Sequence, residues 1–432
     1  MNPLRNSDNA ILAKAGRSGA AEIFAERGFE LPDVRPREGR GLPVPEQVYR
    51  RRLAQCGAAV APADALISFL GAGHGPAFVP PSLAGAMEAA SAAARNEPRA
   101  WGERFAARLA ALTGMAAVLP AALTAREAAA ALVRLIAETR PGGREVLLAG
   151  TLPLAFEKAL RRSLDRAGFR HRFLGWDEGI VSTGELLANF ASSEAASAAG
   201  IAAVVVASPN ALGCIEPLSE IGQIVHHRGA LFVPVVDPLT LALLRTPGEA
   251  AANFSCGSLR SLGQAGKGMG DAWFLAAGER QRDYLAPDVL DPVLGADPGA
   301  RSAGAMGEVA AFVDGLGAGG LAALASIRFR YARYLHDALG QITGFRPAFP
   351  DKVPFFDEFV FRTPLPVEEI VAELEEQGIV AGLPVRLPQP GGGNGLLLSV
   401  SERRTLREME YFLKALKQIR DRNAGRILGA DL

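Results

Sequence analysis

An aspartate stands where a continuous apolar run ends, in Ala230-Leu-Phe-Val-Pro-Val-Val-Asp237-Pro238. An acid just past a buried strand has two uses. It can hold a proton on the ring nitrogen of a heteroaromatic cofactor, so that the ring accepts electrons. It can equally cap the turn or helix that follows, helped by a proline at the first helical position. Chemistry of the first kind also needs an amine on the next strand or its loop, with its pKa lowered for imine formation. Only six lysines exist: Lys14, Lys158, Lys267, Lys352, Lys414 and Lys417. Lys267 alone follows Asp237 at a plausible distance, inside Gly263-Gln-Ala-Gly-Lys267-Gly-Met-Gly270, where a glycine-rich turn could bring backbone amides near a phosphate.

Other chemistries find no support. His226 and His227 are adjacent, so they face different sides of a helix and cannot share a metal. His74, His171 and His336 are isolated, and no metal site is expected. The sequence lacks GxSxG, HExxH and GxxxxGK[ST].

The elements that would position Asp237 are legible between residues 100 and 275. Helical spacing covers Trp101 to Leu112, Thr124 to Ala137, Leu154 to Ala167 and Leu218 to Arg228. Between them lie the apolar runs Glu145 to Ala149, His171 to Leu174, Ile201 to Ala207 and Ala230 to Val236. Such alternation predicts an α/β fold with a mostly parallel, doubly wound sheet. A ligand site then falls along the carboxyl edge of the strands. Beyond residue 304 a helical stretch, Gly307 to Gly340, precedes Glu358 to Arg362, Val367 to Gln377, Gly395 to Val400 and Thr405 to Ile419. This order predicts a smaller α+β C-terminal domain. The expected organisation is an N-terminal helical arm over residues 1–66, a large α/β domain over 67–304 and the small domain over 305–432.

Lysine plus arginine equals aspartate plus glutamate at 46 each, which gives no reason to expect nucleic acid or an acidic membrane as partner. Three scattered cysteines suit a reduced, cytoplasmic protein. The first residues, with acids among the apolar ones, do not read as a signal peptide. No stretch is expected to reach the roughly 18 apolar residues a membrane helix needs.

The order of motifs resembles the first subunit of glycine dehydrogenase (decarboxylating), the N-terminal or alpha part of the glycine cleavage system P-protein. The resemblance is carried by Ile67-Ser-Phe-Leu-Gly-Ala-Gly73, Leu112 to Met115, Pro209-Asn210, Gly213-Cys-Ile-Glu216 and Leu218-Ser-Glu-Ile221. It continues through Gly229-Ala-Leu-Phe232, Val236-Asp237-Pro238, Pro247-Gly-Glu249 and Ser261-Leu-Gly263. In the C-terminal part it rests on Glu358-Phe-Val360, Gly378-Ile379, Gly382-Leu-Pro384 and Asn394 through Thr405. It implies a pyridoxal-phosphate-dependent transferase fold of type I and a lysine-bearing second subunit that holds the pyridoxal phosphate. Together the subunits would decarboxylate glycine and pass aminomethyl to a lipoyl carrier (H) protein. The isolated chain could form a homodimer.

Matching Ser261-Leu-Gly263 to the family motif puts Arg260 where the partner has its lysine. Arginine stays protonated and cannot form the imine. The resemblance therefore implies no catalytic residue on this chain, a vestigial pocket at Asp237 and Arg260, and no covalent cofactor. Polar, site-lining segments of the family depart here: Arg95 to Trp101, Ala122 to Glu127, Leu152-Pro-Leu154 and Pro298 to Gly304. Two other readings stay open. One is a non-catalytic scaffold or regulatory paralogue partnering a pyridoxal-phosphate enzyme of a specialised amino-acid pathway. The other is an autonomous enzyme using Lys267.

Overall fold

The computed structural model describes residues 67–69, 79, 81–196, 200–263, 271–387, 394–402, 404 and 406–425. The expected arm over 1–66, the Gly71-Ala-Gly73 turn and the Lys267 loop lie outside them.

The described chain opens with β1 (Ile67–Ser68), α1 (Pro81–Asn96), α2 (Pro98–Thr113), β2 (Ala117–Val118), β3 (Leu123–Thr124), α3 (Ala125–Thr139) and β4 (Glu145–Ala149). Next come α4 (Leu154–Arg166), β5 (Arg170–Leu174), β6 (Trp176–Asp177), β7 (Ile180–Val181), α5 (Thr183–Ala196) and β8 (Ile201–Ser208). Then follow α6 (Leu218–His227), β9 (Leu231–Val236), β10 (Phe254–Ser258), β11 (Ala272–Ala277), α7 (Pro287–Leu294) and α8 (Pro298–Gly340). The C-terminal part adds β12 (Arg346–Pro347), β13 (Glu358–Arg362), α9 (Val367–Glu376), β14 (Ile379–Val380), β15 (Leu383–Arg386), β16 (Asn394–Ser399) and α10 (Leu406–Arg422).

The main sheet has eight strands in the order β2-β11-β10-β9-β8-β4-β5, with β3 also on β11. From β10 to β5 all pairs are parallel; β11 runs antiparallel to β10, β2 and β3. Every residue of β4, β8 and β9 is buried, because helices cover both faces of the sheet and leave no polar side to alternate with. This is the α/β, mostly parallel architecture that the sequence predicts.

A second, four-stranded sheet, β12-β13-β16-β15, is antiparallel and carries its own core with α9 and α10. The 43-residue α8 serves both units. Its backbone leaves the helical region at Gly317 (φ 60°, ψ −179°). Met306, Phe312 and Leu316 before that break and Leu321 and Leu324 after it pack in the large core, while Ala332, Leu335 and Leu339 farther on pack in the small one. The expected boundary at residue 305 thus falls inside a shared helix.

Contrary to expectation, α8 is long and apolar enough to cross a membrane by length and composition. Of its most apolar window, 56% is buried, and packing in two cores accounts for that composition.

Residues 67–69 also differ from expectation. Ile67 and Ser68 pair in parallel with Ile379 and Val380, and Phe69 lies in the small core against Phe412, ring centroids 4.3 Å apart. A short apolar run reads as a strand, but nothing local names its partner.

Candidate functional site

The carboxyl ends of β8, β9 and β10 lie along one edge and carry, in turn, the Asn210 to Glu216 loop, Asp237, and the Arg260 to Gly263 turn. The register adds the start of α3. Ser258, last in β10, faces Trp273, and the neighbouring Ala272 faces Thr124, the residue before α3. The sequence places Asp237 and Arg260 apart; the fold brings their segments to the same edge.

Asp237 is 2% exposed. Its Oδ1 accepts the Leu239 amide at 2.9 Å and a short bond from the Ser261 hydroxyl. The Asp237 carbonyl accepts from the Thr240 amide at 3.1 Å and the Thr240 hydroxyl at 2.8 Å, which starts the 3₁₀ turn Thr240–Ala242. The aspartate therefore organises its own loop, as a short polar side chain does when it bonds backbone two residues on. Ser261 links it to the turn after β10. Arg260 is half-buried, and its amide donates to the Ser258 hydroxyl at 3.3 Å.

At the start of α3, Thr124 and Glu127 form a capping box. Thr124 Oγ1 accepts the Glu127 amide at 3.2 Å, and Glu127 Oε2 accepts the Thr124 amide at 2.8 Å and its hydroxyl at 2.9 Å. Arg301, from the first turns of α8, holds the other carboxylate oxygen at 3.1 Å. A helix N-terminus at a carboxyl edge is a ready anion site. Here the anion is the chain's own glutamate.

The loop after β8 is braced from within. Asn210 Oδ1 accepts the amides of Leu212 and Cys214, while its Nδ2 donates to Gly179 O and to Glu216 Oε1, both at 2.8 Å. Glu216 Oε2 accepts the Val181 amide at 2.9 Å. Burial pushes the Glu216 carboxyl up to about 7, with the bonds from Asn210 and Val181 opposing the rise. Gly213, at φ 81°, rests on β13: a Cβ there would lie 1.9 Å from the Glu358 carbonyl oxygen. Only glycine combines that φ with that approach. Cys214 and Cys256 are buried, and burial raises both thiols above their ordinary range. Neither is a poised nucleophile.

Beneath the edge lies a charged cluster that the sequence reading did not single out. Arg328 of α8 is 0% exposed. Its Nε meets Glu402 at 2.6 Å, and its Nη1 meets Asp357 at 3.4 Å. Burial alone would lower the guanidinium, but Glu402 and Asp357, with a contribution from Asp237, more than offset this and raise it. Asp357 precedes β13 and Glu402 follows β16, so one arginine ties α8 to two strands of the small sheet within electrostatic reach of Asp237. One sequence signal could have found it. Leu321, Arg328 and Leu335 repeat at seven residues on the buried face of a helix.

Pyridoxal phosphate would require an amine, a cradle for its phosphate and a carboxylate toward its ring nitrogen. The described residues do not fit these needs. Arg260 holds the position that resemblance assigns to the lysine. Glu127 puts a carboxylate where α3 could receive a phosphate, and Asp237 is engaged by Leu239 and Ser261. Lys158, Lys414 and Lys417 lie exposed on α4 and α10, and Lys352 pairs with Glu178 at 2.5 Å.

Residues 179–284, which contain β8 to β11 and the loops just described, match the family model for glycine cleavage system P-protein. A Chlorobium chlorochromatii protein named "Probable glycine dehydrogenase (decarboxylating) subunit 1" is 28% identical over 249 residues, 51% of this chain and 54% of that protein. The chain thus spans about half the length of that relative. Among solved structures, an inhibitor-bound glycine decarboxylase (P-protein) of the glycine cleavage system aligns with a TM-score of 0.69 at 25% identity, covering 95% of this chain and 97% of that one. A Burkholderia pseudomallei sphingosine-1-phosphate lyase aligns at 0.62 and 16% identity, covering 95% and 98%. Both are pyridoxal-phosphate-dependent enzymes of fold type I. The chain is thus similar, over part of its length, to glycine dehydrogenase (decarboxylating) subunit 1, and it shares the overall fold of the glycine decarboxylase P-protein.

Proposed function

We propose that this chain is the lysine-less subunit of a two-subunit glycine decarboxylase of the P-protein type. It pairs with a second, homologous subunit that carries pyridoxal phosphate, in the cytoplasm. The pair decarboxylates glycine and passes aminomethyl to a lipoyl carrier protein. One observation supports the reading: the sheet and its edge loops follow the fold of the P-protein, while Asp237 Oδ1 is taken by Leu239 and Ser261 and the α3 N-terminus by Glu127. In this reading the chain's own residues shape the subunit interface and the shared edge rather than reacting.

A second reading, a scaffold or regulatory paralogue of a specialised amino-acid pathway, draws support from the capping box that replaces a site-lining turn of the family at Ala122 to Glu127. Two measurements decide. The chain alone, incubated with pyridoxal phosphate and dialysed, is expected to retain no visible cofactor band. A band that persists and is lost in Lys267→Ala would establish an autonomous enzyme instead. Co-expressed with the lysine-bearing subunit, the chain is expected to be required for exchange of bicarbonate into the glycine carboxyl. Exchange that proceeds equally without it would leave the scaffold reading.

A further inference from the structure

A cationic groove lies on the outer face of the helical layer, between α3 and α4. Arg126 comes from the first turn of α3, and Lys158, Arg162 and Arg166 come from α4. Their four-residue spacing on α4 puts those three on one face, about 6 Å apart along the axis. Ala155 and Ala159 form the floor, and the groove encloses about 450 Å³. All four cations are exposed, and none has a hydrogen bond or ion pair with a described residue. By contrast Arg161, one step round the same helix, pairs with Glu157 at 3.2 Å. Because α3 and α4 both start at the carboxyl edge, the groove opens there and runs away from it.

We propose that this groove docks an acidic segment of a partner protein, with the segment's carboxylates against the four cations. Charge complementarity selects the sign of the occupant. The small floor lets a helix or extended backbone approach closely, which a row of large side chains would prevent. The shape is concave, whereas a bilayer surface meets a convex or flat basic patch. No aromatic side chain lines the groove, so the stacking that holds single-stranded nucleic acid is missing. The chain's own N-terminal segment is a poor occupant, since residues 1–66 carry ten lysines and arginines against eight aspartates and glutamates. A separate acidic chain remains, and this inference stands whether or not glycine is the substrate of the complex.

The probe is a fluorescein-labelled, alanine-rich helical peptide with glutamate at every fourth position, followed by anisotropy on the full chain at low salt. Binding is expected to weaken at least about tenfold in Lys158→Glu/Arg162→Glu, and to fall steeply as salt is added. The same charge change on α10, Lys414→Glu/Lys417→Glu, is expected to leave binding within about twofold, with circular dichroism confirming that both variants fold. Three results would each overturn the proposal: equal losses in the two variants, no binding by the intact chain, or tighter binding of phosphatidylserine vesicles or single-stranded RNA than of the peptide.

Discussion

Replacing Arg328 with methionine removes the positive charge that meets both Asp357 and Glu402, side chains each 1% exposed. The methionine fills much of the volume, so the loss is mainly electrostatic. Two carboxylates are left in a dry interior, where they had a contact at 2.6 Å and others at 3.4 Å. Removing one partner of a buried pair costs about 3–5 kcal/mol, and a shared arginine belongs in the upper half of that range. Urea unfolding followed by circular dichroism is therefore expected to show a deficit of about 4 kcal/mol. Neutralising the rest of the cluster, in Arg328→Met/Asp357→Asn/Glu402→Gln, is expected to recover much of the loss. A deficit below about 1 kcal/mol, or no recovery in the triple variant, would refute the claim that this arginine is held by charge.

Glu216, raised from 4.5 to about 7 by burial, takes up a proton on folding, so its contribution is greatest below the lower value and is lost as pH climbs to the upper one. Glu216→Gln is expected to remove roughly 3 kcal/mol of that pH dependence between the two values, read from unfolding midpoints across the range. Gly213→Ala is expected to cost several kcal/mol by driving a Cβ into the Glu358 carbonyl; Gly168→Ala, at φ 74° with open space around it, is expected to cost only the left-handed penalty of about 1–2 kcal/mol in the same melt. Glu127→Ala is expected to cost about 1 kcal/mol through the lost capping box and to make stability rise with added sulfate, because the α3 N-terminus is then free to take an anion.

The parallel strands were legible because Ile201 to Ala207 and Ala230 to Val236 are β-branched or apolar throughout, as strands buried on both faces must be. Strand β10, Phe-Ser-Cys-Gly-Ser, mixes small and polar residues and gives no such signal. Helix α1 is dominated by alanine and serine, so its periodic contrast is weak although its helix propensity is high. Asp237 was legible as an acid at a strand end. That Ser261 would claim its Oδ1 was not, because the bond joins two turns that only the sheet brings together. Arg328 left a trace in its spacing with Leu321 and Leu335. Asp357 and Glu402 left none, each being one acid in a loop whose partner is set by the packing of two sheets.

Strand β1 has a consequence for how the molecule can be assembled. The first described residues complete a unit whose other parts come from the end of the chain: Ile67 sits beside Ile379, the Ser399 amide donates to the Phe69 carbonyl at 3.0 Å, and Phe69 covers Phe412. Among the described elements synthesis delivers β1 before all others and α10 after them, so the small unit cannot close until β14, β16 and α10 have emerged. The large sheet, whose strands are all made in between, is free to form earlier and hold the two ends within reach. The closing contact is thus late by construction: a chain cut short before β14 has no seat for β1.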